Sequence, residues 1–213
     1  MDLDLGSLDE PLEIPHAFET DLHCVVVANY TLTLEGIDRS EEEELAKIDK
    51  DFAREDFETV RSMTSDLQNF YDDLRQAARR LALVGLVTRL QHWIGGFAKQ
   101  MKATPCKAKQ TGYNSTVANQ IAALNKLLGI GPVPEMFFED LATARDSIIH
   151  ADSRAEWKHN GSLRKVADHY RNAYEDMDLS EEQLKDAIQK ATQQVKWYDE
   201  KIHGAAMRVG TVI

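Results

Sequence analysis

Three Arg-x4-His pairs stand in this chain: Arg145/His150, Arg154/His159 and Arg164/His169. The pairing matters because an arginine and a histidine suffice, in principle, to cleave RNA without a metal. The guanidinium neutralises charge on a phosphorane, and the imidazole moves the 2′-hydroxyl proton. With 12 arginines and 7 histidines among 213 residues, roughly 0.4 such spacings are expected by chance. The bare spacing is weak evidence, so the elements that carry each pair must decide between them.

Residues 135–150 read as one amphipathic helix, with Met136, Phe137, Leu141, Ala144, Ile148 and Ile149 close to a 3.6-residue period. Arg145 and His150 fall in its last turns, so one rigid element holds both. Asp146 stands one turn before His150, on the same face, where its carboxylate can orient the imidazole. Arg145 and His150 are about 140° apart around the helix, and the arginine must curl round to meet the histidine's side. The competing reading makes Arg145 a solvated charge and His150 a helix C-terminal cap. The second pair runs into a strand and hairpin. The third crosses from strand to helix, and neither is held on one rigid element.

The rest of the chain predicts an all-α helical bundle with a small β-hairpin near residues 155–167. Gly6, Pro11 and Pro15 break any helix in residues 1–15, a flexible lead-in. Residues 16–203 form a single helical domain, and 204–213 a tail. Over 17–37, Val25, Val26, Val27, Thr31 and Thr33 favour strand locally. The stripe Leu22, Val26, Tyr30, Leu34 and Ile37 favours helix, which is the preferred reading. Asp38 and Ser40 before Glu41-Glu42-Glu43-Glu44 read as a helix start. Val60, Met63, Leu67, Phe70, Leu74, Ala77 and Leu81 form a heptad seam, expected to be buried against neighbouring helices. Leu83, Leu86, Leu90, Ile94, Phe97 and Met101 continue as a second stripe. Gly85 marks a kink between the two, and Gly95-Gly96 permits close packing or fraying.

After Thr104-Pro105 comes a polar loop, then a short helix over 116–128 closed by Gly129. Gly131-Pro132-Val133-Pro134 is a rigid turn leading into the helix of the first Arg/His pair. Ala155–Lys158 and Leu163–Ala167 flank Asn160-Gly161, a hairpin signal. Helices over 167–175 and 180–203 follow. Ser180-Glu181-Glu182-Gln183 is a capping box for the last one.

The net charge of −11 is unevenly spread. Residues 1–73 hold 21 acids against 5 bases. Residues 74–134 hold no acid and nine bases: Arg75, Arg79, Arg80, Arg89, Lys99, Lys102, Lys107, Lys109 and Lys126. That acid-free centre is either a phosphate-binding wall or the surface on which the acidic first segment packs and is neutralised. No run approaches the roughly 20 apolar residues of a membrane helix, and no membrane partner is expected. The acidic Met1-Asp2-Leu3-Asp4 argues against a signal peptide. Cys24 and Cys106 give no disulfide framework, so a cytoplasmic location is expected. His16, His23 and Cys24 lack the second spaced pair that a metal site needs.

Leu86–His150 contains a long helix, a short helix, a Pro/Gly turn and a helix ending in Arg145-Asp146-Ser147-Ile148-Ile149-His150. This order and this motif resemble the Arg-(Asn/Asp/His)-x-x-x-His signature of HEPN domains, a helical superfamily with many metal-independent ribonucleases. Leu90-Gln91-His92-Trp93-Ile94 looks like the apolar-aromatic core of the family's earlier long helix. The resemblance implies a HEPN-type bundle that dimerises, with two motif helices lining one cleft. It makes Arg145 and His150 the catalytic pair and Asp146 the polar position after the arginine. It implies a metal-independent endoribonuclease that needs no cofactor, of a kind serving as toxin or antiviral defence effector in prokaryotes. RNA would be the substrate and a partner protein or antitoxin a further companion. Lys99, Lys102, Lys107, Lys109 and Arg154 are the expected RNA-binding residues. The chain departs from the family in two places. Gln91-His92 stands where many members carry an acid, and Asp152 stands where one branch has a tyrosine used for nucleotidylation. A non-catalytic HEPN-like dimeric scaffold or nucleotide-binding accessory subunit is the alternative function.

Overall fold

A computed structural model describes residues 14–52, 56–100, 116–129, 135–159, 161–171 and 176–210. The chain is all-α with one small hairpin. The helices are α1 (Ile14–Leu22), α2 (Ala28–Asp51), α3 (Phe57–Gln100), α4 (Thr116–Leu128), α5 (Glu135–His150) and α6 (Glu181–Gly210). Strands β1 (Glu156–His159) and β2 (Ser162–Lys165) pair antiparallel, with Trp157 opposite Arg164. Gly161 supplies the positive φ of 76° that the turn between them requires.

The core surrounds the second half of α3. Leu83, Leu86, Leu90, Ile94 and Phe97 are fully buried there, as the second stripe predicts; Met101 lies outside the described residues. Against them pack Phe18 and Leu22 of α1, Ile121 and Leu124 of α4, and Phe138, Leu141 and Ala144 of α5. Leu184, Ala187, Ala191, Val195, Tyr198 and Ile202 form the buried stripe of α6. A buried hydrogen bond from the Tyr198 hydroxyl to Asn125 Oδ1 (2.5 Å) ties α6 to α4. Gly95 allows α3 to approach α4, since a Cβ there would stand 3.0 Å from Gln120 Nε2. α3 runs unbroken through Gly85.

Residues 17–37 are helical, as the apolar stripe predicts. A π-helical turn, His23–Val27, joins α1 to α2. Its wider winding stacks Leu22 and Val26 on one face across three consecutive valines. The expected helix start at Asp38–Glu44 is not one. α2 continues through it, because the half-buried Leu34, Ile37, Leu45 and Ile48 sustain the contact with α3. The long helix starts instead at Asp56, whose carboxylate accepts from the Thr59 amide (3.0 Å) and hydroxyl (2.7 Å).

The heptad seam of α3 is only half covered. Val60, Met63, Leu67 and Leu74 are half-buried, but Phe70 and Leu81 are 55% and 69% exposed. The buried residues here are Tyr71, Ala78 and Ala82, one position further on. A straight helix lags a seven-residue repeat by about 20° per heptad, so over this length the next position takes over the contact.

Two expected boundaries also move. Residues 167–175 do not open with an α-helix: a single 3-10 turn, Asp168–Tyr170, is followed by extended backbone at Arg171. α6 runs past 203 to Gly210. The capping box at its start forms both bonds: Gln183 N–H donates to Ser180 Oγ (3.1 Å), and Ser180 N–H to Gln183 Oε1 (2.7 Å).

Candidate functional site

α5 ends on His150, and the way it ends fixes the motif. Ser147, fully buried, accepts through its carbonyl from the amides of Ala151 (3.0 Å) and Ser153 (3.1 Å). Its hydroxyl donates to the Arg154 carbonyl at 2.7 Å. Asp152 and Ser153 both have positive φ, 51° and 62°. They lie beneath an Arg154 N–H to Ala151 C=O bond of 3.0 Å, so the chain reverses tightly after the helix. Non-glycine residues in this region cost roughly 1–2 kcal/mol each, and the Ser147 bonds help to offset that cost.

The reversal is braced from below. Met177 N–H donates to the Ser153 carbonyl (2.7 Å), and Arg80 of α3 donates to the Met177 carbonyl (2.8 Å). Gln76 of the same helix reaches Asp178 Oδ1 at 2.5 Å. In the sequence Arg80 is one of the nine bases of the acid-free centre, open to either reading of that charge pattern. In the structure it is a strut under the loop that follows His150.

Arg145 is one-quarter exposed, and its Nε lies 3.1 Å from Asp146 Oδ1. The contact is an ion pair without a well-aimed hydrogen bond, since Nε is buried and makes none. His150 and Arg154 are exposed. The helix end and its turn therefore bring Arg145, Asp146, His150 and Arg154 into one local unit. Of the four, His150 and Arg154 are open to solvent, while Arg145 and Asp146 are half-buried against each other.

Other expected contributors are not gathered there. Lys99 stands nineteen positions beyond Arg80 on α3, roughly 28 Å along the helix axis. Lys102, Lys107 and Lys109 lie outside the described residues. The four arginines of the acid-free centre are engaged within the fold. Arg75 bonds Asp38 (2.8 Å), Glu41 and Asp72 (3.0 Å). Arg89 pairs with Asp21 at 3.0 Å, Arg79 bonds Gln76 at 3.0 Å, and Arg80 holds Met177. For Arg75 and Arg89 the acidic segment packs on the basic one, as the second of the two readings of the charge pattern has it. Lys126 is exposed on α4.

A polar concavity, unforeseen in the sequence, opens on the first half of α5. About 750 Å³ in volume, it lies between Phe137 and Asp140 of α5, His169 and Tyr170 of the 3-10 turn, and one face of α6. Asp140 is half-buried, and burial pushes its carboxyl pKa up while His169 opposes the shift. Burial and the nearby Asp140 and Asp186 carboxylates likewise push the Tyr170 phenol up. Among the described residues no group of three or more His, Cys, Asp or Glu is placed to hold a metal ion.

No protein-family model, curated protein or solved structure matches this chain. No described helix is long and apolar enough to cross a membrane.

Proposed function

We propose that this chain is a metal-independent endoribonuclease of HEPN type. Arg145 stabilises charge on the phosphorane. His150 moves the 2′-hydroxyl proton, and cleavage leaves a 2′,3′-cyclic phosphate. Asp146 keeps Arg145 in place between turnovers and orients His150. The observation that supports this most is the end of α5. Arg145 and His150 share one regular helix, and its last turn is pinned by Ser147 and braced by Arg80. Such anchoring is what a general base needs to hold its geometry.

The enzyme works in the cytoplasm as a homodimer, because one Arg/His pair is a sparse site. Two copies across a two-fold axis let one histidine act as base and the other as acid. A role as prokaryotic toxin or antiviral effector, restrained by a partner protein or antitoxin, follows from the resemblance alone. The test is cleavage of structured and unstructured RNA in excess chelator, with the product ends identified by mass spectrometry. Cyclic phosphate ends in chelator are expected. Loss of cleavage on chelation, restored by Mg²⁺ or Mn²⁺, would overturn the mechanism.

One set of observations favours a second reading, a non-catalytic dimeric scaffold or nucleotide-binding accessory subunit. Acids of the fold engage Arg75 and Arg89, and Leu32, Phe70 and Leu81 are exposed on α2 and α3. Dimer geometry separates the two. An enzyme brings both His150 side chains to one cleft, whereas a scaffold can point them to opposite outer surfaces.

A further inference from the structure

The concavity on α5 and α6 has a lopsided charge. Asp186 is matched by Lys190 at 2.7 Å. Asp140 makes no hydrogen bond or ion pair with any described residue, and its only charged influence is His169. The Asp140 carboxylate is half-buried in a cleft open to solvent, so its acceptor sites are left to water or to a ligand that supplies donors. Two further features narrow the ligand. The rings of Phe137, His169 and Tyr170 line the site, which suits a flat molecule. The volume of about 750 Å³ lies within the range of small-molecule pockets and exceeds what a single ammonium or guanidinium group fills. An anion is disfavoured beside two carboxylates.

We propose that this cleft binds a guanine base, with the Asp140 carboxylate accepting from the base's N1–H and N2–H together. Guanine is the nucleobase with two adjacent donors on its pairing edge. Adenine and cytosine place an acceptor beside their amino group, and uracil flanks its single N–H with carbonyls. A carboxylate is a bidentate acceptor, so it distinguishes guanine from the others by the second bond. The amide of Gln194 lines the same cleft and offers a donor to the remaining acceptors of the base. Only the source of the base rests on the ribonuclease reading. Asp140 precedes His150 by ten residues on α5, about 15 Å of helix axis. An unpaired guanosine held here would lie a short way along a single strand from the phosphate at His150, with its base stacked and read on its pairing edge.

The experiment is calorimetric titration of the full chain with guanosine, adenosine, cytidine, uridine and arginine amide, each separately. Guanosine is expected to bind at least tenfold more tightly than the other nucleosides, and Asp140→Asn to remove that preference. In the wild-type chain, guanosine should also shift the ring resonances of His169 and Tyr170, a readout that does not depend on how the variant folds. Equal binding of all nucleosides, binding of arginine amide alone, or no binding would overturn the proposal. Guanosine binding without RNA cleavage would sink the ribonuclease reading and leave this site standing. Cleavage without guanosine binding would do the reverse.

Discussion

Arg145 Nε lies 3.1 Å from Oδ1 of its sequence neighbour Asp146, and each side chain is about one-quarter exposed. The arginine that would meet a phosphate therefore already has an anionic companion. A substrate phosphate must compete with that carboxylate, or draw the guanidinium's other nitrogens outward.

Asp146→Asn removes this competition. On the proposed mechanism the variant binds a non-cleavable 2′-O-methyl RNA several-fold more tightly. It also cleaves the natural strand more slowly, because the carboxylate no longer orients His150. Binding titration and single-turnover kinetics read the two effects separately. Weaker binding in the variant would mean that Asp146 does not restrain Arg145.

Ser147→Ala should destabilise the fold by roughly 0.5–1.5 kcal/mol, because the part-buried Arg154 carbonyl loses the hydroxyl that bonds it. Urea denaturation measures this. A change below the error of that measurement would remove Ser147 from the anchoring of α5.

The reversal after His150 can be tested from its other side. At φ 51°, Asp152→Gly relieves left-handed strain and is expected to be neutral or stabilising by up to about 1 kcal/mol. Asp152→Val places a β-branched residue where it is strongly disfavoured and is expected to be destabilising. Equal thermal midpoints for the two variants would contradict the conformation of this turn.

Arg75 links α2 to α3 through Asp38, Glu41 and Asp72. Arg75→Met leaves three carboxylates facing one another. Its cost is roughly 1–2 kcal/mol after allowing for partial exposure. The urea midpoint should fall most at low salt, and the difference should narrow as salt screens the repulsion. A salt-independent loss would point to packing of the arginine stem.

Asp56 carries a pH prediction. Hydrogen bonds from Thr59 lower its pKa in the folded chain. Its contribution is therefore fully present above the unfolded value of roughly 3.9 and is lost as pH falls through the lower folded value. Protection of the Thr59 and Val60 amides against exchange, relative to their intrinsic rates, should fall over that acid range in the wild type. In Asp56→Ala the protection of the same amides should be low at every pH.

Features set by local chemistry were readable in the sequence. Gly129 ends α4, Gly161 turns the hairpin, and the Ser180/Gln183 pair caps α6. Each acts on residues within a few positions of itself. What depended on distant partners was not readable. Asp38 and Ser40 have the chemistry of a cap, yet they sit inside α2 because contact with α3 carries the helix past them. Phe70 and Leu81 have the spacing of a seam, but helical drift turns them outward. Arg145 and His150 could be placed on α5 because one helix holds both. Asp140 and His169 line one cleft although the hairpin separates them in the chain, and the α6 residues that complete it read in sequence as ordinary solvated surface. Arg80's task was equally hidden, since its partner is a backbone carbonyl.

The central claim is that the end of α5 cleaves RNA. Its most direct test is single-turnover cleavage of one labelled RNA, in excess chelator, by wild-type protein and His150→Ala at equal concentration. Circular dichroism and light scattering would verify that both are folded dimers. His150 is exposed at a helix end, so its truncation leaves no core cavity and the fold should survive. The account predicts cleavage by the wild type and a loss of at least a hundredfold in the variant, the scale of a general acid–base contribution. Equal rates for the two proteins, or no cleavage by the wild type on any RNA tried, would contradict it.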